Sequence, residues 1–223
     1  RAAVKNSGFE FPSQRITVNL APADLPKEGP AFDLALAVGV LAASEIAPLT
    51  DWANAVFLGE LSLDGSLRPI PGILPLISCL QQEGFGPFFV PNGNAAETSW
   101  IQEAEVYALD NLVQVVEVLQ GIREPIPVPQ KIFAPRAQTT YSDFAQVRGQ
   151  EHAKRALEIA AAGGHNVYLV GPPGSGKTML ARSLPGILPS LTFAEALELS
   201  QIYSAAGLLN DNRPWITERP FRA

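Results

Sequence analysis

Gly171-Pro172-Pro173-Gly174-Ser175-Gly176-Lys177-Thr178 is the stretch that decides how the second half of this chain folds. It matches the pattern GxxxxGK[ST], in which glycines allow backbone N–H groups to turn inward around a phosphate. Asn166–Val170 before it is an apolar run typical of a strand, and Met179–Leu184 after it is typical of a helix. This pattern requires strand, loop and helix in that order. The spacing therefore predicts a nucleoside triphosphate site in an α/β domain.

The residues of this loop have separate expected roles. Lys177 should reach the β and γ phosphate oxygens, and we assign it the catalytic role, while the Thr178 hydroxyl should hold Mg²⁺. The helix that starts near Gly176 should point its positive end at the same anion. The residues expected to contact the nucleotide are Gly171, Pro172, Pro173, Gly174, Ser175, Gly176, Lys177, Thr178 and Met179.

Composition excludes several classes of protein. The 223 residues carry a net charge of −6, so there is no whole-chain basic surface for nucleic acid, although a few loops can still contact DNA. Cys79 is the single cysteine, which excludes a disulfide framework and favours a reducing, cytoplasmic setting. We interpret it as a small buried hydrophobe. Leu34–Ala43, the longest apolar run, is too short to span a bilayer, so no membrane is expected as a partner.

The first half of the chain alternates strand and helix signals. Arg15–Leu20 alternates as a half-buried strand does, and Pro22–Pro30 has the composition of a loop. Val56–Leu63 and Leu67–Ile70 flank Asp64-Gly65, a strong hairpin signal. Helices are also predicted at Phe32–Ser44, Ile73–Glu83, Ala95–Gln102 and Leu112–Gln120, and strands at Phe88–Pro91 and Val106–Leu109. Residues 1–121 are thus expected to form an α/β domain, incomplete at its start because Arg1–Lys5 is typical of a helix interior.

Residues 122–140 are predicted to be a linker. Glu124–Gln130 has proline at alternate positions, which favours a stiff, extended chain. Beyond it, a helix is predicted over Glu151–Ala162, ended by Gly163-Gly164, and another over Phe193–Ser204. Residues 141–223 are therefore expected to form a second unit around the glycine-rich loop.

Val147–Asn166, read VRGQEHAKRALEIAAAGGHN, makes the second unit specific. Together with Gly171–Thr178 it closely resembles the magnesium-chelatase-like AAA+ ATPases of the YifB/ComM type. Ile216–Ala223 resembles the segment of this family that precedes its second acidic motif. The resemblance implies that Val147, Arg148, Gly149 and Gln150 contact the base of the nucleotide, the alternative being an ordinary loop and helix cap. It also implies that the Walker B motif, sensors and arginine finger lie beyond residue 223.

The first unit resembles the domain that this family places ahead of its ATPase module. The residues that carry the likeness are Lys27–Leu34 and Gly59–Ile73, and the implied fold is that of ribosomal S5 domain 2, shared with Lon proteases and RadA. Lon enzymes use a Ser–Lys dyad. In this chain the serine position falls on Ala31 and the lysine position on Leu74. Neither side chain can act as nucleophile or base, so peptidase activity is not expected.

The family resemblance also implies partners and an activity. It implies ATP and ADP as ligands with Mg²⁺ as cofactor, a homo-hexamer in the intact protein, and ATP-driven remodelling of branched DNA. A regulatory or scaffolding nucleotide-binding module remains one alternative, and a magnesium-chelatase subunit that metallates a porphyrin is another. The S5-like domain argues against the chelatase, whose ATPase subunit lacks it. Without Walker B, residues 1–223 alone are expected to bind nucleotide weakly, barely hydrolyse it and stay monomeric.

Overall fold

The computed structural model describes residues 1–20, 29–134, 143–210 and 212–221. The helices are α1 (Ala2–Asn6), α2 (Asp33–Ala43), α3 (Ile73–Gln82), α4 (Ala95–Thr98), α5 (Leu112–Leu119), α6 (Glu151–Gly163), α7 (Lys177–Ser183) and α8 (Phe193–Ala205). The strands are β1 (Val56–Phe57), β2 (Glu60–Leu61), β3 (Leu67–Arg68), β4 (Phe88–Pro91) and β5 (Val106–Leu109). The chain divides into two compact units, Arg1–Ile132 with Ser200–Pro214, and Phe133–Leu199 with Trp215–Ala223. The fold is therefore α/β, as predicted.

A parallel sheet in the order β1-β4-β5 lies at the centre of the first unit. Phe88 pairs with Val56 on one side and with Val106 on the other, so β4 is the middle strand. Every residue of β4 is buried. Parallel strands covered on both faces are continuous apolar runs, which explains why Phe88–Pro91 has no polar side chain.

Helices α2 and α5 contribute to the main core. Leu34 and Leu41 of α2 and Leu112 of α5 are fully buried in one cluster with Phe89. The Phe89 ring is stacked on Phe57 with centroids 4.8 Å apart. Burying each such side chain contributes about 1.5–3 kcal/mol. The packing of α2 and α5 against the sheet therefore forms the main core of the first unit.

The hairpin predicted at Asp64-Gly65 is confirmed. Strand β2 pairs antiparallel with β3, with Leu61 opposite Leu67. The Asp64 carboxylate accepts hydrogen bonds from the Ser66 hydroxyl at 2.7 Å and the Ser66 N–H at 3.0 Å, which lowers the pKa of Asp64. Gly65 has φ = +89°, a conformation that favours glycine. The turn chemistry therefore acts as its sequence indicates.

Two predicted strands are wrong. Arg15–Leu20 forms no strand, and all six side chains are exposed. Asn166–Val170 is not a strand either, and Tyr168 and Val170 are 90% and 80% exposed. A strand needs neighbours to pair its backbone N–H and C=O groups, and neither segment has a partner strand among the described residues.

Smaller differences concern bounds and burial. The helix predicted at Ala95–Gln102 ends at Thr98, and the run Val56–Leu63 divides at Gly59 (φ = +154°) into β1 and β2. Cys79 is exposed, so its interpretation as a buried side chain is wrong. Most of the loop predicted at Pro22–Pro30, with Lys27 and Glu28, and part of the 122–140 linker lie outside the described residues.

The second unit has a small core of its own. Val147, Leu157 of α6 and Leu180 of α7 are buried together, with Leu169 packed against them. Helix α6 ends at Gly163, and the residue that caps it, Gly164, has φ = +64°, so the predicted glycine stop is confirmed. This core holds α7, and with it the end of the glycine-rich loop, against α6.

Candidate nucleotide-binding site

Two glycines shape the loop Gly171–Thr178. Gly174 and Gly176 have φ values of +78° and +84°, a region where an L side chain is strained. Gly171 is restricted by space, because a Cβ there would lie 3.1 Å from the Ser175 Oγ. The loop closes with the Ser175 N–H donating to the Pro172 carbonyl at 3.3 Å. The glycine positions of the pattern thus have structural reasons in this chain.

The Lys177 ammonium lies inside the loop. It donates to the carbonyl oxygens of Gly171 and Pro172, both at 2.8 Å, and to the Ser175 hydroxyl at 3.3 Å. A lysine ammonium has three N–H donors and no acceptor, so these three oxygens use all of them. A positive charge is therefore held at the centre of the loop by neutral groups that an anion could replace.

The first residues of α7 are accessible. Thr178 and Met179 are exposed, whereas Leu180 is buried in the small core. The Thr178 hydroxyl is a hard oxygen donor, the type that Mg²⁺ prefers. The described residues contain no group of three or more histidine, cysteine or acidic side chains that could hold a metal ion. A cation here would thus depend on Thr178 together with oxygens from a bound ligand.

The segment Val147–Gln150 lies beside this loop. Gln150 donates from its Nε2 to the Ser175 carbonyl at 3.5 Å. Gly149 and Gln150 both have positive φ, +72° and +60°, so the chain turns sharply before α6. Arg148 and Gly149 are exposed, but the Val147 side chain is buried against Leu180. No local pattern indicates the Gln150–Ser175 contact, since it joins residues 25 positions apart.

Glu195 is engaged at the start of α8. Its Oε2 accepts from the Thr192 N–H at 2.8 Å and from the Thr192 hydroxyl at 3.0 Å, and the Glu195 N–H donates to the Thr192 Oγ1 at 3.3 Å. Its Oε1 accepts from Arg219 at 3.1 Å. The Thr192 bonds, followed by that of Arg219, lower the pKa of Glu195. This is a capping box, whose T-x-x-E spacing was visible in the sequence.

The other acidic residues after Thr178 are Glu198, Asp211 and Glu218. Glu198 is exposed on α8, and Glu218 is half-buried in the segment after Trp215. Asp211 lies outside the described residues. Glu195 caps α8, while the Lys177 ammonium is bonded to the Gly171 and Pro172 carbonyls and the Ser175 hydroxyl.

In the described parts of the chain, none of the helices combines the length and the apolar character that crossing a membrane requires.

Comparison with known proteins gives two family matches. The family described as subunit ChlI of Mg-chelatase matches residues 1–94, and the one described as magnesium chelatase, subunit ChlI, matches residues 143–223. Together they take in the hairpin, the Val147–Gln150 segment and the glycine-rich loop.

Several curated proteins are similar over the whole chain. YifB of Salmonella typhimurium is 44% identical over 224 residues, and the uncharacterized protein Rv2897c of Mycobacterium tuberculosis is 43% identical over 224. Competence protein ComM of Haemophilus influenzae is 42% identical over 228 residues. Each alignment covers 100% of this chain but 43% or 44% of the relative. The chain therefore spans somewhat less than half the length of these relatives.

Proposed function

Because this chain belongs to the magnesium-chelatase-like family of YifB and ComM proteins, we propose that the loop Gly171–Thr178 binds ATP and ADP with Mg²⁺. The observation that carries the proposal is the Lys177 ammonium at the centre of the loop, 2.8 Å from the Gly171 and Pro172 carbonyls. A phosphate would replace those carbonyls as the partner of Lys177. The exchange pairs the ammonium with an anion instead of neutral carbonyls, which adds a direct attraction between opposite charges.

The metal part of the proposal rests on Thr178. Mg²⁺ in nucleotide sites is held by one or two protein oxygens, with phosphates and water completing the octahedron. The exposed Thr178 hydroxyl supplies one such oxygen. A Mg²⁺ ion held in part by Thr178 would supply positive charge to offset the negative charge that develops during phosphoryl transfer. Lys177 would stabilise the same charge from the protein side.

On the base side, we propose that Val147–Gln150 lies against the nucleoside. The contact from Gln150 to Ser175 supports this, because it ties the segment to the phosphate-binding loop. Val147 is buried, so its contribution would come from its backbone, while Arg148 and Gly149 offer exposed surface. We expect Met179 to lie next to the ligand as part of the exposed start of α7.

For the whole protein we propose an AAA+ ATPase that assembles as a homo-hexamer in the cytoplasm, where ATP is available, and remodels branched DNA. The similarity to competence protein ComM supports the DNA part of the proposal. Residues 1–121 would be the S5-like domain, 122–140 the linker and 141–223 the first part of the ATPase domain. By sequence residues 200–214 then belong to the ATPase segment, while by contacts they belong to the first compact unit.

The test of nucleotide binding is a calorimetric titration of the chain with ATP and with ADP, each with Mg²⁺ and with excess chelator. We expect binding of both nucleotides. ATP should bind more tightly when Mg²⁺ is present, because the Thr178 hydroxyl can then serve as a ligand of the metal ion. No heat with either nucleotide at millimolar concentration would contradict the proposal.

The magnesium-chelatase descriptions of both family matches favour a second candidate, a subunit that drives insertion of Mg²⁺ into a porphyrin. A scaffolding nucleotide-binding module is the third. One experiment on the full-length protein separates them: ATP turnover is measured alone, with branched DNA, and with a porphyrin and Mg²⁺. Stimulation by branched DNA supports the motor, porphyrin metallation supports the chelatase, and nucleotide binding without turnover supports the scaffold.

A further inference from the structure

A buried polar cluster in the first unit connects α4 with the end of α8. It consists of Asn94, Glu97 and Ser204, which are 3%, 9% and 2% exposed. The three residues line a cavity of about 410 Å³. The other lining residues are Pro69, Ile70, Pro71, Gly93, Ala96, Gly207, Leu209, Asn210 and Pro214. Residues 200–214 therefore cover a carboxyl group that would otherwise face water.

Asn94 fixes the α4 side of this cluster. Its Oδ1 accepts from the Ile70 N–H at 3.0 Å, and its Nδ2 donates to the Ile70 carbonyl at 3.0 Å. The same Nδ2 donates to the Glu97 Oε1 at 2.7 Å. A buried amide of this kind is worth most when each of its groups is paired. Glu97 is thus held in place by a residue that is itself bonded to the backbone ahead of α3.

Ser204 fixes the α8 side. Its carbonyl accepts from the Gly72 N–H at 2.9 Å, and its Oγ accepts from the Leu74 N–H at 3.4 Å. The hydroxyl also hydrogen-bonds Glu97. The backbones approach closely, since a Cβ on Gly72 would lie 3.7 Å from the Ala205 Cα. The end of α8 therefore packs against the first turn of α3, and Ser204 at that contact is hydrogen-bonded to Glu97.

No cation offsets the Glu97 charge within the described residues. Glu97 is the one ionisable side chain among those lining the cavity, and α3 carries no charged residue. Arg68 of β3 is paired with Glu60 at 4.0 Å, and Arg213 lies over the Tyr203 ring. Asp211 lies outside the described residues. Burial accordingly raises the pKa of Glu97, against the opposing hydrogen bonds of Asn94 and Ser204.

We propose that Asn94, Glu97 and Ser204 form a proton-dependent latch, which holds residues 200–214 on the first unit while Glu97 is neutral and releases them when Glu97 ionises. The neutral form of a carboxyl group is stable in a cavity without cations, whereas the ionised form there is stabilised when water reaches it. Glu97 is 9% exposed, and water hydrates its carboxylate more fully when Ser204, Gly207 and Pro214, which line the cavity with it, move away. Because α8 is continuous from Phe193 to Ala205, opening the latch frees its carboxyl-terminal end.

The direction of the pH dependence follows from the raised pKa. The closed latch binds the Glu97 proton more tightly than the open latch does. Its stability is therefore complete below the ordinary pKa of the carboxyl and is lost as pH rises through the raised value. This proposal does not depend on nucleotide binding.

The test is hydrogen exchange of the intact protein, read at the amides of Gly72, Leu74 and Gly207 from about pH 5 to about pH 8. Wild type is compared with Glu97→Gln, a neutral isostere, and with Glu97→Ala, which removes one of the two acceptors of the Asn94 Nδ2. Exchange protection, corrected for the intrinsic rate, should fall about tenfold in wild type over this range. Glu97→Gln should keep it at every pH, and Glu97→Ala should lack it throughout.

Amides of the β4–β5 ladder serve as the internal control and should keep their protection in every variant. The same pH profile in wild type and Glu97→Gln would overturn the proton dependence, and full protection in Glu97→Ala would overturn the latch. If Glu97→Ala also loses ladder protection, Ser204→Ala replaces it. Unchanged Leu74 protection in folded Ser204→Ala would then contradict the proposal.

Discussion

Replacing Lys177 by alanine should separate nucleotide binding from folding. The ammonium donates to three oxygens, but the Gly171 and Pro172 residues that supply two of them are exposed. Water can solvate those carbonyls once the lysine is removed, so the free energy of unfolding should change by less than about 1 kcal/mol. A charged hydrogen bond to a phosphate is worth about 1.5–3 kcal/mol. Its loss corresponds to about a 10- to 150-fold rise in the dissociation constant for ATP.

The assay is a calorimetric titration with ATP and Mg²⁺, paired with urea unfolding of each variant. Arg155→Ala is the matched control, because it removes an exposed cation that pairs with Glu158 at 2.9 Å on α6. Such surface pairs contribute about 0–1 kcal/mol, so this variant should bind as wild type does. Equal ATP affinity in wild type and Lys177→Ala would refute the site. A loss of affinity that merely follows a loss of folded protein would refute the reasoning about Lys177.

Four further predictions concern the rest of the chain. Thr192→Ala should lower the stability of the second unit by about 1 kcal/mol through loss of the α8 cap, as measured by urea unfolding. Because the pKa of Glu195 is lowered, the stabilisation it gives should be present above its ordinary pKa and lost as pH falls through the lowered value, which unfolding midpoints against pH would show. Fluorogenic peptides should not be cleaved, with or without ATP, since Ala31 and Leu74 provide neither nucleophile nor base, and turnover that depends on the first unit would contradict this. Residues 1–223 alone should release phosphate from ATP far more slowly than a complete AAA+ enzyme and remain monomeric in light scattering, and steady turnover lost in Lys177→Ala would show that one of the acidic residues after Thr178 is catalytic after all.

Structure that depends on neighbouring residues was predictable from the sequence. The Asp64-Gly65 hairpin and the Gly164 cap of α6 rest on backbone conformations that a few adjacent residues determine. The end of α4 at Thr98 was not predicted, although its cause is also local. The Thr98 hydroxyl donates to the Ala95 carbonyl at 3.2 Å and the Ser99 hydroxyl to the Ala96 carbonyl at 2.7 Å. The next backbone bonds run three residues back, from the Trp100 N–H to the Glu97 carbonyl at 3.4 Å and from the Ile101 N–H to the Thr98 carbonyl at 3.0 Å, so the α-helical pattern stops.

Strands were less predictable, because their stability depends on partners distant in sequence. Arg15–Leu20 and Val106–Leu109 both have strand-like composition, yet the second pairs with β4 and the first pairs with none of the described residues. Alternation of apolar and polar residues describes what a strand could bury, and it does not show whether another strand is present to bury it. The same limit applies to Asn166–Val170 ahead of the glycine-rich loop.

The candidate site could be predicted from neighbouring residues, whereas the latch of Asn94, Glu97 and Ser204 depends on residues distant in sequence. The loop Gly171–Thr178 could be proposed as a site because its glycines, Lys177 and Thr178 stand at the fixed spacing of a pattern that binds one ligand. Glu97 and Ser204 are 107 positions apart, and neither is unusual within its own segment. Glu97 becomes informative once the fold places it in a cavity whose lining, as far as the structure describes it, holds no cation. Burial of Glu97 lowers the stability of the closed contact whenever the carboxyl group ionises. A contact between α8 and α3 that opens with pH explains the presence of this acid better than a permanent contact does.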